Sequence, residues 1–368
     1  YSTVQYAMRE QSRISQAQLA ARLGMELIAG DLQRAGFLAT PNSDTDPHVC
    51  QNNLIRVHPI VFQPGASGAV YRTPDVAGPS GSTPNIAANT NISPDDVQLF
   101  GNYLNADEYL AYTINAAAST VQLQPMIRYP DPSEGDAAME HPAAMSDDEF
   151  RELFPDTAFL RIVNRRGLSQ FTRISSASGF AARTLNVSPA PIQYSPTQPC
   201  GVEGWCEGCR VNVVNGVWYR IELDPVDPQR TDLVRYFVDQ DRQPIEASRE
   251  VVVPYAVDLQ VWFRAAEPPA SGGGMPFDMN LNPNVPDDSA VMISTGVVNP
   301  PNGQLTAQPE AIRSAMVRLT VRTRIEDPKF QHQPRGTTNV RLRSYDVDTL
   351  AFGAAHGRTY TTEVAMPN

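Results

Sequence analysis

The chain has 368 residues, a formal net charge of -11 and 41% hydrophobic residues. This length corresponds to one large domain or two ordinary ones, with enough chain to bury a sizeable core. The acidic balance disfavours a nucleic-acid partner, because phosphate contacts need clustered lysine and arginine. The 32 prolines exceed the usual share of about 5%, which predicts long irregular loops.

The N-terminal end of the sequence lacks the usual targeting signals. No apolar run approaches the roughly 18 residues of a membrane-spanning helix, and no signal peptide is visible. The sequence begins at Tyr1 and not at a methionine. We therefore expect a segment upstream of Tyr1 to be missing.

Residues 1–37 have helical periodicity. Apolar residues recur every three or four positions and mark one side of a helix that we expect to pack on a sheet. This predicted packing face consists of Ile14, Ala17, Ala21, Met25, Ile28, Leu32 and Ala35. Leu23 and Leu27 are predicted to widen the face.

The first three turns of this helix are poorer in apolar residues, which are Val4, Tyr6, Ala7 and Met8. We expect these turns to lie in solvent or to contact a partner from outside the chain. Val4, Ala7 and Met8 are the candidate partner-binding residues.

The end of the helix, ELIAGDLQRAGF, holds two glycines around an acid–base pair, Asp31 and Arg34. We interpret Gly30 as a site of close packing on the sheet. Gly36 suits the C-terminus of the helix, since glycine is favoured just after a last turn.

Strand and loop patterns follow the helix. The segment 54–62 is an edge-strand candidate because Pro59 lacks a backbone donor. Segment 63–96 has low complexity and reads as a surface loop. Six more strands are predicted: VQLF, EYLAYTI, STVQLQPMIRY, FLRIVN, SQFTRIS and RTLNVS. Between the third and fourth, SDDEFRELF predicts a short helix with Ser146 as its N-cap.

The second half of the chain contains further strand signals. Asn215-Gly216 inside RVNVVNGVWYRIEL predicts a hairpin with a type I′ turn, and DQDR at 239–242 predicts a second hairpin turn. In the next strand Val257, Leu259, Val261 and Phe263 are predicted to face the core, with Asp258, Gln260, Trp262 and Arg264 facing out. In AMVRLTVRTRIE the predicted inward residues are Val317, Leu319, Val321 and Ile325.

Several arginines are predicted to face outward from the last strands, namely Arg318, Arg322, Arg324, Arg341 and Arg343. An acidic partner surface would explain them. Pairing with the carboxylates of neighbouring strands explains them without a partner, and we favour it.

Motifs of enzymes are absent from the sequence. It contains no dinucleotide-binding glycine motif, P-loop, HExxH or GxSxG. The five histidines are scattered along the chain, mostly in predicted loops. We therefore predict a protein that is not an enzyme and that needs no cofactor, although a spatial triad would be invisible at this level.

Four cysteines, Cys50, Cys200, Cys206 and Cys209, predict disulfides in an exported protein, with the pairing open. A zinc site of the four thiolates is the less favoured alternative, since zinc ribbons usually have two CxxC knuckles. A redox role for Cys206 and Cys209 is disfavoured because the pair leads into a strand.

A calcium site was considered at the acidic clusters. NSDTDPH, with Asp44 and Asp46, has alternating oxygen ligands but lacks the glycine and the final glutamate of an EF-hand loop. The sequence leaves a calcium site open there and predicts no metal.

RLGMELIAGDLQRAGF resembles the end of the long first helix in PilW-type minor pilins of type IV pili and in the related GspJ pseudopilins. The matching residues are Arg22, Leu23, Leu27, Asp31, Leu32, Arg34, Ala35, Gly36 and Phe37. LVRYFVDQDRQPIEASREVVVPYAVDLQVWFR, with the strand motif Val257–Val261, is similar to the hairpin and following strand of the family. AMVRLTVRTRIEDP and RTYTTEVAMPN are similar to its last two strands. The family's leader signal, hydrophobic half-helix and early glutamate are absent here, and so is any match to the middle of the chain.

The resemblance implies an α+β pilin-like fold, with a long N-terminal helix packed on antiparallel sheet. It divides the chain into the helix, 1–37, and a β-rich domain, 38–368, with insertions at about 63–96, 130–156, 190–209 and 266–310.

The resemblance also implies a minor pilin of the priming or tip complex, with possible adhesin presentation. Its partners would be other minor pilins, a tip adhesin, the major pilin and, through a missing N-terminal segment, the inner membrane. The protein would have a periplasmic domain and then stand at the cell surface. Three alternatives are a secretion pseudopilin, an exported glycan- or surface-binding module and a hydrolase with an unrecognised site.

Overall fold

The structure is a computed structural model of the chain. It describes residues 2–40, 42–44, 46–52, 54–63, 94–104, 107–128, 139–140, 145–202, 206, 208–227, 230–266, 276–279, 312–325, 327, 344–345 and 355–366. The predicted strand residues Arg341 and Arg343 lie outside these ranges, as does nearly all of the predicted loop 63–96.

Two α-helices are described, α1 at Ser2–Gln33 and α2 at Asp147–Leu153. The prediction for α2 is confirmed. The Ser146 side chain accepts a hydrogen bond from the Glu149 backbone, and the Glu149 carboxylate accepts one from the Ser146 backbone at 2.7 Å. This capping box satisfies donors that a helix start leaves unpaired.

Sixteen strands are described. They are β1 Ile60–Gln63, β2 Asp96–Gly101, β3 Glu108–Asn115, β4 Thr120–Arg128, β5 Met139–Glu140, β6 Phe159–Val163, β7 Ser169–Ala177, β8 Thr184–Ser188, β9 Arg210–Leu223, β10 Thr231–Val238, β11 Glu250–Pro254, β12 Ala256–Ala266, β13 Pro276–Met279, β14 Ile312–Arg322, β15 Ser344–Tyr345 and β16 Ala355–Ala365. The six strands predicted between the first loop and residue 188 match β2, β3, β4, β6, β7 and β8.

An eleven-stranded antiparallel sheet contains a closed ring of six strands. The first half of β9 pairs with β3 on one edge and with β6 on the other. The circuit is completed through β4, β8 and β7. We call these strands, β3, β4, β6, β7, β8 and β9, the six-strand ring.

The second half of β9 leaves the ring and joins an open part of the same sheet. It pairs with β2 and β10, which carry β1 and β11 on their outer edges. A second sheet of five strands has the order β13-β12-β14-β16-β15.

Three buried apolar clusters fill the fold. The ring core combines strand residues such as Leu160, Ile162 and Val213 with Phe150 and Phe154. The helix core joins one side of α1 to the open part of the first sheet and to the second sheet. A third cluster lies under the segment that follows α1. Its members include Ala39, Val49, Val57, Phe159 and Phe171.

The predicted fold class, an α+β pilin-like fold, is wrong. Strands dominate the described residues, and most of them belong to one large antiparallel sheet. Periodicity identified individual strands, but it carries no information on closure into a ring. The ring core contains no α1 residue among those described, so these six strands do not depend on α1 as a cover.

The predicted hairpin at Asn215-Gly216 is also wrong. Both residues lie inside the continuous strand β9, where Gly216 pairs with Phe100 on one side and Val238 on the other. A Cβ on Gly216 would overlap the side chains of these two neighbours. Glycine here allows close packing between strands, which outweighs its local turn preference. DQDR does form the turn between β10 and β11, with Asp239 Oδ1 accepting from the Asp241 and Gln243 backbones at 2.8 Å.

The two faces of β12 and β14 are less distinct than predicted. The inward residues of β12 are buried, but so are Asp258 and Gln260, predicted to face out. On and after β14, Val317, Leu319 and Val321 are buried, whereas Ile325 is 49% exposed because it lies beyond the strand's end at Arg322.

The predicted arginine face is correct in part. Arg324 is exposed, and Arg318 lies 3.9 Å from Asp258, in keeping with the favoured cross-strand explanation. Arg322 is buried instead of facing out. Its guanidinium stacks 5.0 Å from the Tyr255 ring and donates to the Thr323 carbonyl at 2.9 Å.

Candidate functional site

Helix α1 buries one side over its second half. Ala21, Met25, Ile28, Leu32 and Ala35 are buried, the last of them just past the helix end. Ala17 and Ile14 are half-buried, so the cover thins toward the N-terminus. The buried side contacts β16, β14 and β11.

The opposite side of α1 carries an exposed apolar stripe. Met8 is 66% exposed, Leu19 60%, Leu23 57% and Leu27 36%. The three leucines follow one another at four-residue spacing, and Met8 precedes Leu19 by about three helical turns. We call Met8, Leu19, Leu23 and Leu27 the leucine stripe.

The prediction that Leu23 and Leu27 widen the buried face is therefore wrong. At about 100° per residue, they lie well around the helix from Met25 and Ile28. Met8 is exposed as a candidate partner-binding residue would be. Val4 and Ala7 lie on α1, but their side chains are outside the described ones.

A buried ion pair holds the end of α1. The Asp31 carboxylate accepts hydrogen bonds from Tyr219 Oη at 2.6 Å and from Arg235 Nε at 2.8 Å. Burial, then the Asp31 charge, raises the pKa of Tyr219, which therefore remains a neutral donor. The sequence paired Asp31 with Arg34, yet Arg34 is exposed. We call Asp31, Tyr219 and Arg235 the helix anchor.

Further hydrogen bonds tie the end of α1 to β2 and to the residues that follow β2. Tyr103 Oη donates to the Asp31 carbonyl at 2.9 Å, and the Gly36 backbone donates to Phe100 at 2.8 Å. The helix ends at Gln33, earlier than predicted, and Gly36 lies in the turns that follow with φ +80, a conformation that glycine adopts without strain. A Cβ on Gly101 would overlap the Arg34 carbonyl, so β2 approaches the helix end closely at this glycine.

Gly30 does not have the predicted role. It is exposed, and a Cβ there would meet no atom within 4 Å. The close approach occurs at Gly24, where a Cβ would overlap the Val253 side chain on β11. Which of the two glycines faces the sheet depends on the rotation of the helix about its axis. The apolar residues Met25 and Ile28 already indicate that rotation in the sequence.

The four cysteines lie in one region of the fold. Cys206 and Cys209 form a disulfide directly before β9. Cys50 is buried and Cys200 is half-buried, and both are free thiols. Cys50 Sγ donates to the Cys200 carbonyl at 2.9 Å. With two of the thiols joined, the structure disagrees with the alternative of a four-thiolate zinc site.

The described residues contain no group of three or more histidine, cysteine or acidic side chains that could hold a metal. The calcium candidate at residues 42–48 uses its oxygens internally. Asp46 accepts from Thr40 Oγ1 at 2.7 Å and from the His48 backbone at 2.8 Å. Asp44 lies 3.4 Å from Arg56 and 3.7 Å from His58.

A buried polar cluster on β2, β9 and β10 escaped the sequence analysis. Arg220 Nε lies 3.2 Å from Glu222 and 4.0 Å from Asp96, and its guanidinium stacks 4.4 Å from the Trp218 ring. Tyr236 Oη donates to Glu222 at 2.6 Å. We call Asp96, Trp218, Arg220, Glu222 and Tyr236 the polar cluster. The signal for this cluster in the sequence is the pair of charged residues Arg220 and Glu222 within a strongly apolar strand.

The polar cluster favours the neutral form of one carboxyl group. Burial, then the Glu222 charge, raises the pKa of Asp96 to about 7. Arg220 is the nearest cation, but it lies closer to Glu222 and compensates that carboxylate first.

A small cavity lies beside the Cys206–Cys209 disulfide, lined by Asn164, Arg165, Arg166, Tyr194, Gly201 and Cys206. Arg166 stacks on the Tyr194 ring and donates to its hydroxyl at 3.1 Å. The cavity is thus partly filled by its own lining.

Within the described part of the chain, no helix combines the length and the apolar character needed to cross a membrane. Comparison of the chain with family models, with curated proteins and with solved structures finds no match in any of the three. The case for a function therefore depends on the geometry of α1 and on the resemblance of its sequence.

Proposed function

We propose that this protein is a minor subunit of a helical surface filament, with the role that minor pilins have in the priming or tip complex of type IV pili. Helix α1 packs among the helices of neighbouring subunits, and the strand-rich part faces outward. The protein acts through assembly and not through catalysis, with the presentation of an adhesin as a further possible task.

The leucine stripe is the observation that carries this proposal. Its residues are 36% to 66% exposed, so a partner could still bury part of the apolar surface whose full burial contributes roughly 1.5–3 kcal/mol per side chain. Leu19, Leu23 and Leu27 form a ridge of the four-residue kind that packs into a groove on another helix. An apolar ridge on the side opposite the buried face favours a second helix as partner.

The helix anchor supports the same function mechanically. Asp31 is tied to Tyr219 on β9 and to Arg235 on β10, so the end of α1 is fixed to two strands of the large sheet. A subunit that transmits load between a helical filament and an outer domain needs such a connection.

The proposal does not depend on a pilin fold, which the described strands contradict. It rests on α1 and on the resemblance of RLGMELIAGDLQRAGF to minor-pilin helices. The proposed partners are other minor pilins, a tip adhesin and the major pilin. The proposed location is the inner membrane and periplasm, followed by the cell surface.

Co-purification tests the proposal. The full chain is mixed with the periplasmic domains of the minor pilins encoded in its own operon. Leu19→Gln with Leu23→Gln is expected to weaken association by about tenfold or more, because apolar burial is lost at the helix contact. Its melting temperature should remain that of the unchanged chain.

The matched control is Leu54→Gln with Val226→Gln, which replaces exposed apolar residues outside α1 that are 81% and 90% exposed. It should associate like the unchanged chain. Failure to bind any minor pilin, or equal binding by the stripe variant, contradicts the proposal. Binding to secretion pseudopilins instead supports the pseudopilin alternative.

A further inference from the structure

Two of the four cysteines remain as thiols after Cys206 and Cys209 are joined. These two, Cys50 and Cys200, are separated by 150 positions in the chain, yet Cys50 Sγ lies 2.9 Å from the Cys200 carbonyl oxygen. Thus the fold places the Cys50 thiol directly against the backbone of Cys200.

The backbone around Cys50 is well fixed. Its N–H donates to the Ser169 carbonyl at 2.9 Å, and the Ser169 N–H donates to the His48 carbonyl at 2.6 Å. Val49 forms a parallel bridge with Ser169 at the start of β7. Residues 48–50 therefore pair with the start of β7, one strand of the six-strand ring.

The turn that carries Cys200 is also held in place by hydrogen bonds. Asn164 Nδ2 donates to the Cys200 carbonyl at 3.3 Å and to the Gly201 carbonyl at 3.1 Å. A Cβ on Gly201 would overlap the Gln193 backbone, so the two chain segments run in close contact. Neither cysteine lies on a segment that must move far to meet the other.

We propose that Cys50 and Cys200 form a second disulfide, which links the segment after α1 to the turn before β9. The oxidant is an external disulfide, RSSR, of the kind that oxidising compartments supply. One protein thiolate attacks RSSR, forms a mixed disulfide and releases RS⁻. The second protein thiolate then attacks the protein sulfur of that mixed disulfide and releases the other RS⁻. In total two protein thiols are oxidised, RSSR is reduced to two RSH, and the two protein protons pass to these products.

The environments of the two thiols set the order of attack. Burial, then the hydrogen bond with Cys200, raises the pKa of the Cys50 thiol. Cys200 is more exposed, so it reaches an external disulfide first. The buried Cys50 thiolate then attacks the mixed disulfide on Cys200 and completes the bond.

The first test is a peptide map of the unchanged chain, so it does not depend on a variant that folds. The chain is incubated with oxidised glutathione, alkylated in denaturant without reductant and digested. The expected product joins the peptides of Cys50 and Cys200 and lacks two hydrogen atoms. Alkylation of both residues, or a link from either one to Cys206 or Cys209, overturns the proposal.

The second test compares variants under the same oxidising conditions. Cys50→Ser, Cys200→Ser and the double variant should each lower the melting temperature by on the order of 10 °C, because each opens the same long loop. The double variant should lose no more than either single variant. Additive losses would mean two independent packing defects and contradict a shared bond.

Discussion

The six-strand ring and the helix core hold their parts together in different ways. The ring is closed by backbone pairing from β9 around to β6, and its core packs strand residues against two phenylalanines near α2. Among the described residues, helix α1 has no backbone ladder to either sheet, and side chains fix it apart from the Gly36 backbone bond to Phe100 just past its end. It places a charged residue, Asp31, against two polar side chains at its C-terminal end.

This difference indicates how each region is held in a single arrangement. Strand pairing sets the position of every ring residue, since a shift by one residue would exchange the two faces. A helix on an apolar surface can rotate or slide at smaller cost. We infer that the helix anchor fixes the rotation and the position of α1, a role attributed to buried polar groups in some proteins.

The largest expected effect comes from removing the anchor. Asp31→Ala leaves the Arg235 guanidinium buried without its main partner, which costs about 3–5 kcal/mol of the free energy of unfolding. Urea unfolding measures the loss. Hydrogen exchange should show reduced protection in α1 with protection retained in the ring strands.

Arg34→Ala is the matched control for the anchor. Arg34 lies three residues further on, is exposed and was the partner that the sequence indicated. Its replacement should change stability by less than about 0.5 kcal/mol. An equal loss in both variants would show that the local pair Asp31–Arg34 holds the helix end.

These residues also show how far the sequence could lead. Local signals identified α1, α2 with its cap at Ser146, and the six strands before residue 188. They also contained the leucine stripe, because the four-residue spacing of Leu19, Leu23 and Leu27 is visible in the sequence. The sequence interpretation assigns Leu23 and Leu27 to the face of Met25, although they lie on another side of the helix.

The rest depends on contacts between distant parts of the chain. Asp31 and Arg235 are 204 positions apart, and no local pattern specifies their pairing. Ring closure requires β9 to pair on both edges, which the turn preference of Asn215-Gly216 concealed. The polar cluster likewise combines Asp96 with residues more than a hundred positions away.

The polar cluster, which lies on β2, β9 and β10, makes the free energy of unfolding depend on pH. Asp96 has a pKa raised from 3.8 to about 7, so between these values the folded chain holds a proton that the unfolded chain has lost. The free energy of unfolding therefore falls as pH rises through this window. The Asp96 contribution between pH 5 and pH 8 is about 3 kcal/mol as an upper limit.

Asp96→Asn isolates this contribution. The amide stays neutral at every pH, so the variant should lose stability less steeply than the unchanged chain between pH 5 and pH 8. Urea unfolding at several pH values measures the difference. Parallel curves would mean that Asp96 is ionised in the folded protein, with Arg220 as its effective partner.

The smallest expected effects test how closely α1 approaches the sheet. Gly24→Ala places a methyl group against Val253, and overpacking of this kind costs about 1–3 kcal/mol. Gly30→Ala adds the same methyl group to the same helix at an open, exposed position. There it should stabilise by about 0.5–1 kcal/mol, because alanine favours the helix over glycine.

The pair has opposite expected signs, which makes it a direct test of helix rotation. Helix propensity is the same for both substitutions, so the difference in unfolding free energy measures packing alone. If both substitutions stabilise the chain, α1 does not approach β11 as described, and the leucine stripe does not lie on the free side of the helix. If both substitutions destabilise the chain, Gly30 also packs closely against a neighbouring element, as the sequence ELIAGDLQRAGF predicts.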